Sequence, residues 1–356
     1  MANFLLHWSV LLMSTACCFT SLTGSAQTAA ADSDTFTNPL LPSGPDPWVT
    51  SDHGTYYYMN TTGRNLTIWA TPDITNLAHA TKRVVWTPPA TGAYSHDIWA
   101  PELHHFDGHW YIYFAADKGD NESHRIWVVE SSTDDPMQSK WTLKGKVADA
   151  TDKWAIDASA FEVNGQRYLI WSGWKGDSDG EQDIFIAHLK NPWTIDSQRT
   201  LLSYPKYPWE HVGDLLNRPA VPHVEVNEGP EILKHGKDIF LVYSGSACWT
   251  DYYSLGVLRA QAGDDLLNAT SWSKFDHPFF RQSATHHVFG PGHNGFFKSP
   301  DGRQDWIIYH ANPGSGEGCE SMRSPRAQSF TWNVDGTPEF GVPVAAGVPL
   351  SKPSHH

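Results

Sequence analysis

The sequence predicts an all-β fold, a five-bladed β-propeller, from three observations. The chain of 356 residues is 40% hydrophobic and 13% aromatic, which is ample for a large packed core. It lacks long runs of helical periodicity and carries short strands rich in Tyr, Trp, Ile, Val and Phe between turns of Gly, Asp, Asn and Pro. One pattern, a strand followed by a glycine turn and an aromatic strand, recurs five times.

The five repeats follow one another along most of the chain. They read "DPWVTSDHGTYYYMN", "APELHHFDGHWYIYFA", "DASAFEVNGQRYLIWSG", "EGPEILKHGKDIFLVYSG" and "HNGFFKSPDGRQDWIIYHA", with turn glycines Gly54, Gly108, Gly165, Gly236 and Gly302. The repeats are spaced 54, 57, 71 and 65 residues apart. This spacing leaves room for about four strands in each repeat, as in a propeller blade.

Polar residues occupy an equivalent position in the repeats. Counting eight residues back from the first four turn glycines reaches Asp46, Ala100, Asp157 and Glu228, and counting nine back from Gly302 reaches His293. The first strand of each propeller blade lines the central channel, so these positions would converge on one mouth. The alternative is that each acid is a turn, capping or solvated surface residue, since such acids are common before hairpins.

Three carboxylates in one pocket suit the hydrolysis of a glycosidic bond. One carboxyl group must stay protonated to donate to the leaving oxygen, and another must be ionised to activate water. Glu reaches one methylene further than Asp, which favours Glu228 as the proton donor and Asp46 as the base. A third negative charge, on Asp157, would disfavour ionisation of the donor.

The N-terminal segment predicts export. Residues 1–31 contain no Lys, Arg, Asp or Glu, and the apolar stretch "FLLHWSVLLMSTACCF" is too short for a typical membrane span. Small residues at positions 24–26 suggest cleavage, so residues 1–26 are predicted to be a signal peptide, with a lipoprotein anchor at Cys17 as the alternative. The mature protein would then be secreted, extracellular or periplasmic, with a catalytic propeller domain over residues 36–350.

Charge and cysteine content narrow the partners further. The formal net charge of −14, without a basic run, argues against a nucleic-acid partner, and no later stretch is predicted to span a membrane. Removal of the leader leaves Cys248 and Cys319, which either pair or remain separate thiols.

Five motifs resemble the signature blocks of glycoside hydrolase family 43. They are "GPDPWV", "IWAPEL", "AIDASAF", "NEGPEIL" and "GPGHNGFF", and the resemblance runs in order from Asn38 to about Pro349. The sequence is most similar to secreted α-L-arabinofuranosidases of that family. The resemblance implies an inverting enzyme that releases terminal α-L-arabinofuranosyl residues from plant cell-wall arabinan or arabinoxylan, or their oligosaccharides, with Asp46, Asp157 and Glu228 in the roles given above.

The resemblance also implies roles for three more residues. Trp99 would line the sugar site, although with 17 tryptophans in the chain a core position is the alternative. Arg323 would bind sugar hydroxyls, with a surface position as the alternative and Arg326 as a rival. His293 would lie beside a structural calcium ion in the central channel, or form hydrogen bonds there without an ion. No cofactor is expected to be required for the chemistry.

Other activities remain open within the fold. A β-D-xylosidase, an endo-arabinanase or an exo-galactanase would use the same carboxylates, and a glycan-binding propeller without catalysis would keep the aromatic pocket but need not keep the three acids. The long insert "LLSYPKYPWEHVGDLLNRPAVPHVEV" between the third and fourth repeats could close one side of the pocket and favour exo cleavage.

Overall fold

The computed structural model describes residues 34–178, 180–214 and 223–355. The predicted signal peptide, residues 1–26, lies outside the described residues, as does the middle of the long insert, residues 215–222. Among the described residues, no helix has the length and apolar character needed to cross a membrane.

The described chain is all-β, in agreement with the predicted class. Short 3-10 helices occur only in connections, over Ile74–His79, Asn121–Ser123, Pro208–Glu210, Ala269–Ser271 and Ala284–His286. The strands form five antiparallel units that follow one another in the sequence. In addition, β1 (Thr35–Thr37) and β23 (Pro349–Ser351), near the two ends of the described chain, pair as a separate two-stranded sheet.

Units one and two are four-stranded meanders. Unit one contains β2 (Trp48–Asp52), β3 (Thr55–Met59), β4 (Leu66–Thr71) and β5 (Thr81–Trp86). Unit two contains β6 (His96–Phe106), β7 (His109–Asp117), β8 (Arg125–Ser131) and β9 (Trp141–Val147).

Units three to five follow the same order, with one additional strand in unit three. Unit three contains β10 (Ala155–Val163), β11 (Gln166–Gly173), β12 (Glu181–Asn191), β13 (Thr194–Ile195) and β14 (Thr200–Ser203), the last two both pairing with β12. Unit four contains β15 (Glu225–His235), β16 (Asp238–Gly245), β17 (Ser254–Gln261) and β18 (Ser273–Lys274). Unit five contains β19 (Phe289–Lys298), β20 (Asp305–Asn312), β21 (Ser324–Trp332) and β22 (Pro338–Glu339). A short parallel contact between β12 and β15 links units three and four into one sheet.

The turn glycines lie where the repeats predict them, between the first and second strands of each unit. All five have positive φ, from 60° at Gly236 to 78° at Gly54. Side chains are disfavoured in this conformation, which explains why glycine recurs at these tight turns.

The hydrophobic core lies between neighbouring units. Leu66 and Ile68 of unit one pack in the same cluster as Ile112 and Phe114 of unit two, and three further clusters join units two to three, three to four and four to five. A fifth cluster contains residues of both unit five and unit one. The first strands also contact one another in the order β2, β6, β10, β15 and β19, and β19 contacts β2. The beginnings of the five first strands are thereby brought close together.

Candidate active site

A single cavity of about 330 Å³ contains all six residues that the sequence singled out: Asp46, Trp99, Asp157, Glu228, His293 and Arg323. The residues around it come from all five units. Eight more residues complete its lining: Thr61, Asn121, Trp154, Ile156, Gln182, Cys248, Trp249 and Cys319.

A backbone irregularity near the start of each first strand positions the polar side chains. Each unit has a residue with a left-handed backbone at the equivalent position there: Asp46 (φ 57°), Ala100 (41°), Asp157 (55°), Gly229 (53°) and His293 (47°). In units two to five the strand pairing shifts at the same point, which marks a β-bulge. Bulges re-aim side chains and are frequent beside active sites.

The equivalent position in unit four is Gly229, not Glu228 as the eight-residue count predicted. Glu228 precedes the bulge and pairs with Ser244, just as Trp99 in unit two precedes its bulge and pairs with Ala115. The count was wrong by one residue because the turn of unit four is one residue closer to its bulge. Glu228 nevertheless reaches the cavity, from the position that Trp99 occupies in unit two.

The Asp46 carboxylate is held in its ionised form. The Arg323 guanidinium donates to its Oδ1 at 2.9 Å, and the Thr61 hydroxyl donates to its Oδ2 at 2.6 Å. Burial alone would raise the pKa of Asp46, but these contacts outweigh it and place that pKa well below its usual value. Burial lowers the pKa of His293 and of His310, so both rings are neutral and Arg323 is the permanent cation beside Asp46.

Thr61 has a second role in this arrangement. Its hydroxyl accepts from the backbone N–H of Ala100 at 2.7 Å while donating to Asp46. The Asp46 backbone N–H in turn donates to Nδ1 of His310 at 3.0 Å. Side chain and backbone of Asp46 are thus both fixed, by units one, two and five.

The pKa values of Glu228 and Asp157 are raised, whereas that of Asp46 is lowered. Burial raises the pKa of Glu228 to about 7, and the negative charge of Asp46 adds to this effect. Burial and the Glu228 charge raise the pKa of Asp157 well above its usual value, although the backbone N–H of Gly229 donates to its Oδ2 at 3.0 Å. The repulsion is mutual, so the Asp157–Glu228 pair favours retention of a proton near neutral pH.

His293 supplies only one element of a metal site. Its Nδ1 lies 3.4 Å from Oδ1 of Asp46, the oxygen that Arg323 also binds. Across residues 34–178, 180–214 and 223–355, no group of three or more His, Cys, Asp or Glu side chains is arranged to hold a metal ion. Calcium prefers six to eight oxygen ligands, which these side chains alone do not provide. The calcium ion in the channel stays a prediction, and no chemical step is assigned to it.

The two remaining predicted residues also line the cavity. The Trp99 ring stacks on His124 at 4.1 Å between ring centroids, and the residue contributes to the cavity lining. Arg323 binds Asp46, whereas its rival Arg326 is 1% exposed and lies outside the cavity lining. The structure therefore shows that Arg323, and not Arg326, lines the cavity, a choice that the sequence left open.

Sequence reasoning missed several lining residues. Trp154 lies three residues before Asp157 in the sequence, and its ring stacks on Trp174 at 4.8 Å between ring centroids. Gln182, on the third strand of unit three, also lines the cavity. Trp249 follows Cys248 directly in the sequence. The proximity of Trp154 and Trp249 to already identified residues was the available signal, but tryptophan is so frequent in this chain that proximity alone does not select them.

Cys248 and Cys319, whose pairing was open from sequence, form a disulfide with Cα atoms 5.3 Å apart. The bond joins the loop after β16 in unit four to the loop after β20 in unit five. Both cysteines line the cavity, and Trp249 and Arg323 lie on the same two loops. The disulfide therefore ties together two loops of the cavity wall.

Taken together, the cavity holds an ionised carboxylate next to a permanent cation and a carboxyl group that tends to keep its proton. Aromatic rings line the wall beside them. A base that activates water and an acid that protonates a leaving group need this opposition of pKa values.

Comparisons with known proteins identify the same enzyme family by sequence and by structure. The family described as glycosyl hydrolases family 43 matches residues 36–338. An extracellular exo-α-(1→5)-L-arabinofuranosidase of Streptomyces avermitilis is 39% identical over 331 residues, which cover 91% of this chain and 66% of that protein. The α-L-arabinofuranosidase 43 of Humicola insolens is 34% identical over 96% of this chain and 70% of its own length. The chain thus spans about two thirds of the length of these relatives.

A solved structure extends the comparison to the fold. The crystal structure of an α-L-arabinofuranosidase from Lactobacillus brevis matches with a TM-score of 0.81 and 34% sequence identity, over 88% of this chain and 98% of that chain.

Proposed function

The chain belongs to glycoside hydrolase family 43, and we propose that it releases terminal α-L-arabinofuranosyl residues from arabinan- or arabinoxylan-type polysaccharides and their oligosaccharides. The observation that carries the proposal is the opposite shift of two carboxyl pKa values within one cavity, down at Asp46 and up at Glu228. The relatives named as arabinofuranosidases support the choice of sugar.

The reaction proposed is a single displacement. Asp46, ionised beside Arg323, removes a proton from a water molecule while the water oxygen attacks the anomeric carbon of the arabinofuranosyl unit. The bond from that carbon to the leaving oxygen breaks, and Glu228 donates its proton to this oxygen. Asp157 raises the pKa of Glu228 by mutual repulsion and orients it. One water is consumed, and the sugar is released with inverted configuration.

The fold inferred for this activity is a five-bladed propeller with one blade per unit, over residues 36–350. The contact of β19 with β2 and the hydrophobic cluster shared by units five and one support closure of the ring. Export after removal of residues 1–26 is part of the proposal, in keeping with the extracellular relative from Streptomyces avermitilis.

Assay of the purified protein on aryl α-L-arabinofuranoside, aryl β-D-xylopyranoside and linear arabino-oligosaccharides tests the proposal. We expect arabinoside hydrolysis with arabinose as the only small product and with inverted anomeric configuration in the initial product by NMR. Release of arabino-oligosaccharides from linear arabinan would indicate endo action. Preference for the xyloside would indicate a β-D-xylosidase, and binding without turnover would indicate a glycan-binding protein.

A further inference from the structure

Tyr253 contacts the side chain that we assign as the acid, yet it does not line the cavity. It ends the loop between β16 and β17 and is fully buried. Its hydroxyl donates to Oε1 of Glu228 at 2.8 Å. Burial, and then the charge of Glu228, raise the pKa of Tyr253 well above its usual value, so the hydroxyl keeps the proton it donates.

The ring of Tyr253 is held in place on two sides. It stacks on His310 with a centroid distance of 5.6 Å and an angle of 4° between the rings. On another side it passes close to Gly292, where a Cβ atom would lie 2.2 Å from Cε1 of Tyr253. Only a residue without a Cβ allows this approach. His310 itself accepts from the Asp46 backbone N–H, so the same ring stack lies between the proposed acid and the proposed base.

We propose that Tyr253 is a positioning residue that determines which oxygen of Glu228 carries the transferable proton. A carboxylic acid accepts best at its carbonyl oxygen, so a hydroxyl that donates to Oε1 leaves the proton on Oε2. The same hydrogen bond fixes the carboxyl plane relative to the substrate. This inference rests on the proposed function, because it requires Glu228 to be the acid.

The hydrogen bond also opposes the other groups that act on Glu228. Burial and the negative charge of Asp46 favour its protonated form, whereas the Tyr253 hydroxyl and the Arg323 guanidinium favour its ionised form. A donor to a carboxylate stabilises the charge, so its removal should raise the pKa of the acid. A residue that merely filled space would leave that pKa unchanged.

The test is Tyr253→Phe, which keeps the ring, its stack and its volume. We expect the basic limb of the kcat/KM profile to move to higher pH by about one unit, since a hydrogen bond to a charged group has roughly this effect on a titration. We expect kcat to fall about tenfold on arabino-oligosaccharides, less on an aryl arabinoside with a good leaving group, and KM to stay within about twofold. The matched control is Tyr309→Phe, which removes another fully buried hydroxyl, one that donates to Gln328 at 3.1 Å.

Two further variants distinguish failure of the Tyr253 role from failure of the acid assignment. Site-specific 3-fluorotyrosine at position 253 keeps the hydroxyl and makes it a stronger donor, so the basic limb should move to lower pH, with the melting temperature measured to check that the fold is retained. Glu228→Gln, measured in parallel, tests the acid assignment itself. If Glu228→Gln loses activity equally on good and poor leaving groups, the proposed function fails. If Glu228→Gln behaves as an acid variant but neither change at position 253 moves the basic limb, the role of Tyr253 is overturned.

Discussion

Two groups of buried carboxyls lie in or just before the first strands of the units, and they differ in what surrounds them. The pocket group is Asp46, Asp157 and Glu228. The inner pair is Glu102 on β6 and Glu231 on β15, each two residues beyond the left-handed residue of its strand. Their exposures are alike, 5–9% in the pocket group and 7% in each member of the inner pair.

Their electrostatic partners are different. Within the described chain, no Lys or Arg pairs with Glu102 or Glu231. Glu231 accepts from the Ser159 hydroxyl at 3.2 Å, and Oε2 of Glu102 lies 2.9 Å from Nε2 of His104. Burial lowers the pKa of His104 to about 3, so this ring is neutral. Burial raises the pKa of both inner glutamates well above their usual value.

This comparison shows that burial and a raised pKa do not identify a catalytic acid. Both groups contain buried carboxyls that favour the protonated form. The pocket group lines the cavity of about 330 Å³, whose described lining does not include Glu102 or Glu231, and there a cation holds one carboxylate ionised next to a carboxyl group that favours its proton. The predictions below test this distinction in order of decreasing effect.

The largest effect should come from the carboxylates of the pocket. Asp46→Asn removes the base and should lower kcat/KM by about 10²–10⁴-fold on every substrate. Glu228→Gln should cause a comparable loss on arabino-oligosaccharides but a smaller loss on activated aryl arabinosides, which need less protonation. Glu102→Gln and Glu231→Gln are matched controls that should retain most of the activity. Steady-state kinetics that show equal losses in the inner and pocket variants would contradict the distinction.

The second-largest effect should come from removing the Arg323 guanidinium, which should raise the pKa of Asp46. Arg323→Met removes the largest of the contacts that oppose burial and leaves the Thr61 hydrogen bond, so the pKa of Asp46 should rise by roughly one to three units. The acidic limb of kcat/KM should move to higher pH accordingly, because Asp46 must be ionised to act. The exposed Arg281→Met serves as control. An acidic limb that stays in place while KM rises would mean that Arg323 only binds the sugar.

Asp157→Asn should produce a smaller shift of the other limb. Glu228 must be protonated, so activity should fall as the pH rises through its pKa of about 7. Without the Asp157 carboxyl, the proton retained by the pair is no longer held by repulsion between two carboxylates, so the pKa of Glu228 should fall and the basic limb should move to lower pH, by about one unit. Ser159→Ala, two residues further along β10, should leave the limb unchanged. The pH dependence of kcat/KM measures both variants.

The smallest effect concerns stability alone. The inner glutamates have folded-state pKa values above the unfolded value of about 4.3, so the folded state binds more protons as the pH rises above it. Their contribution to stability is present at lower pH and is lost as the pH rises towards the folded pKa values. The double variant with Glu102→Gln and Glu231→Gln should remove this loss. The melting temperature of the double variant minus that of the wild type should therefore be larger at pH 7.5 than at pH 4.5. A constant difference across this range would show that the folded-state pKa values of the pair are not raised above the unfolded value.

The sequence was sufficient for the β class, the turn glycines and the family, and the resemblance to family 43 is confirmed by the match over residues 36–338. These features depend on local patterns: glycine recurs where φ must be positive, and aromatic and β-branched residues recur in strands. The repeat also located the polar residues of the cavity. It misplaced the equivalent position in unit four, because a count from a turn cannot detect a turn that lies one residue closer to the bulge.

Only the tertiary structure decided which partners each side chain has. Arg323 and Arg326 are three residues apart in one sequence motif, yet one binds Asp46 and the other is buried away from the cavity. Tyr253, Thr61 and His310 carry no sequence signature, and they gain their contacts with the acid and the base only when separate units meet. A pKa depends on solvent access and on charges within a few ångströms, so the opposition of Asp46 and Glu228 arises from the packing of units that are distant in the chain.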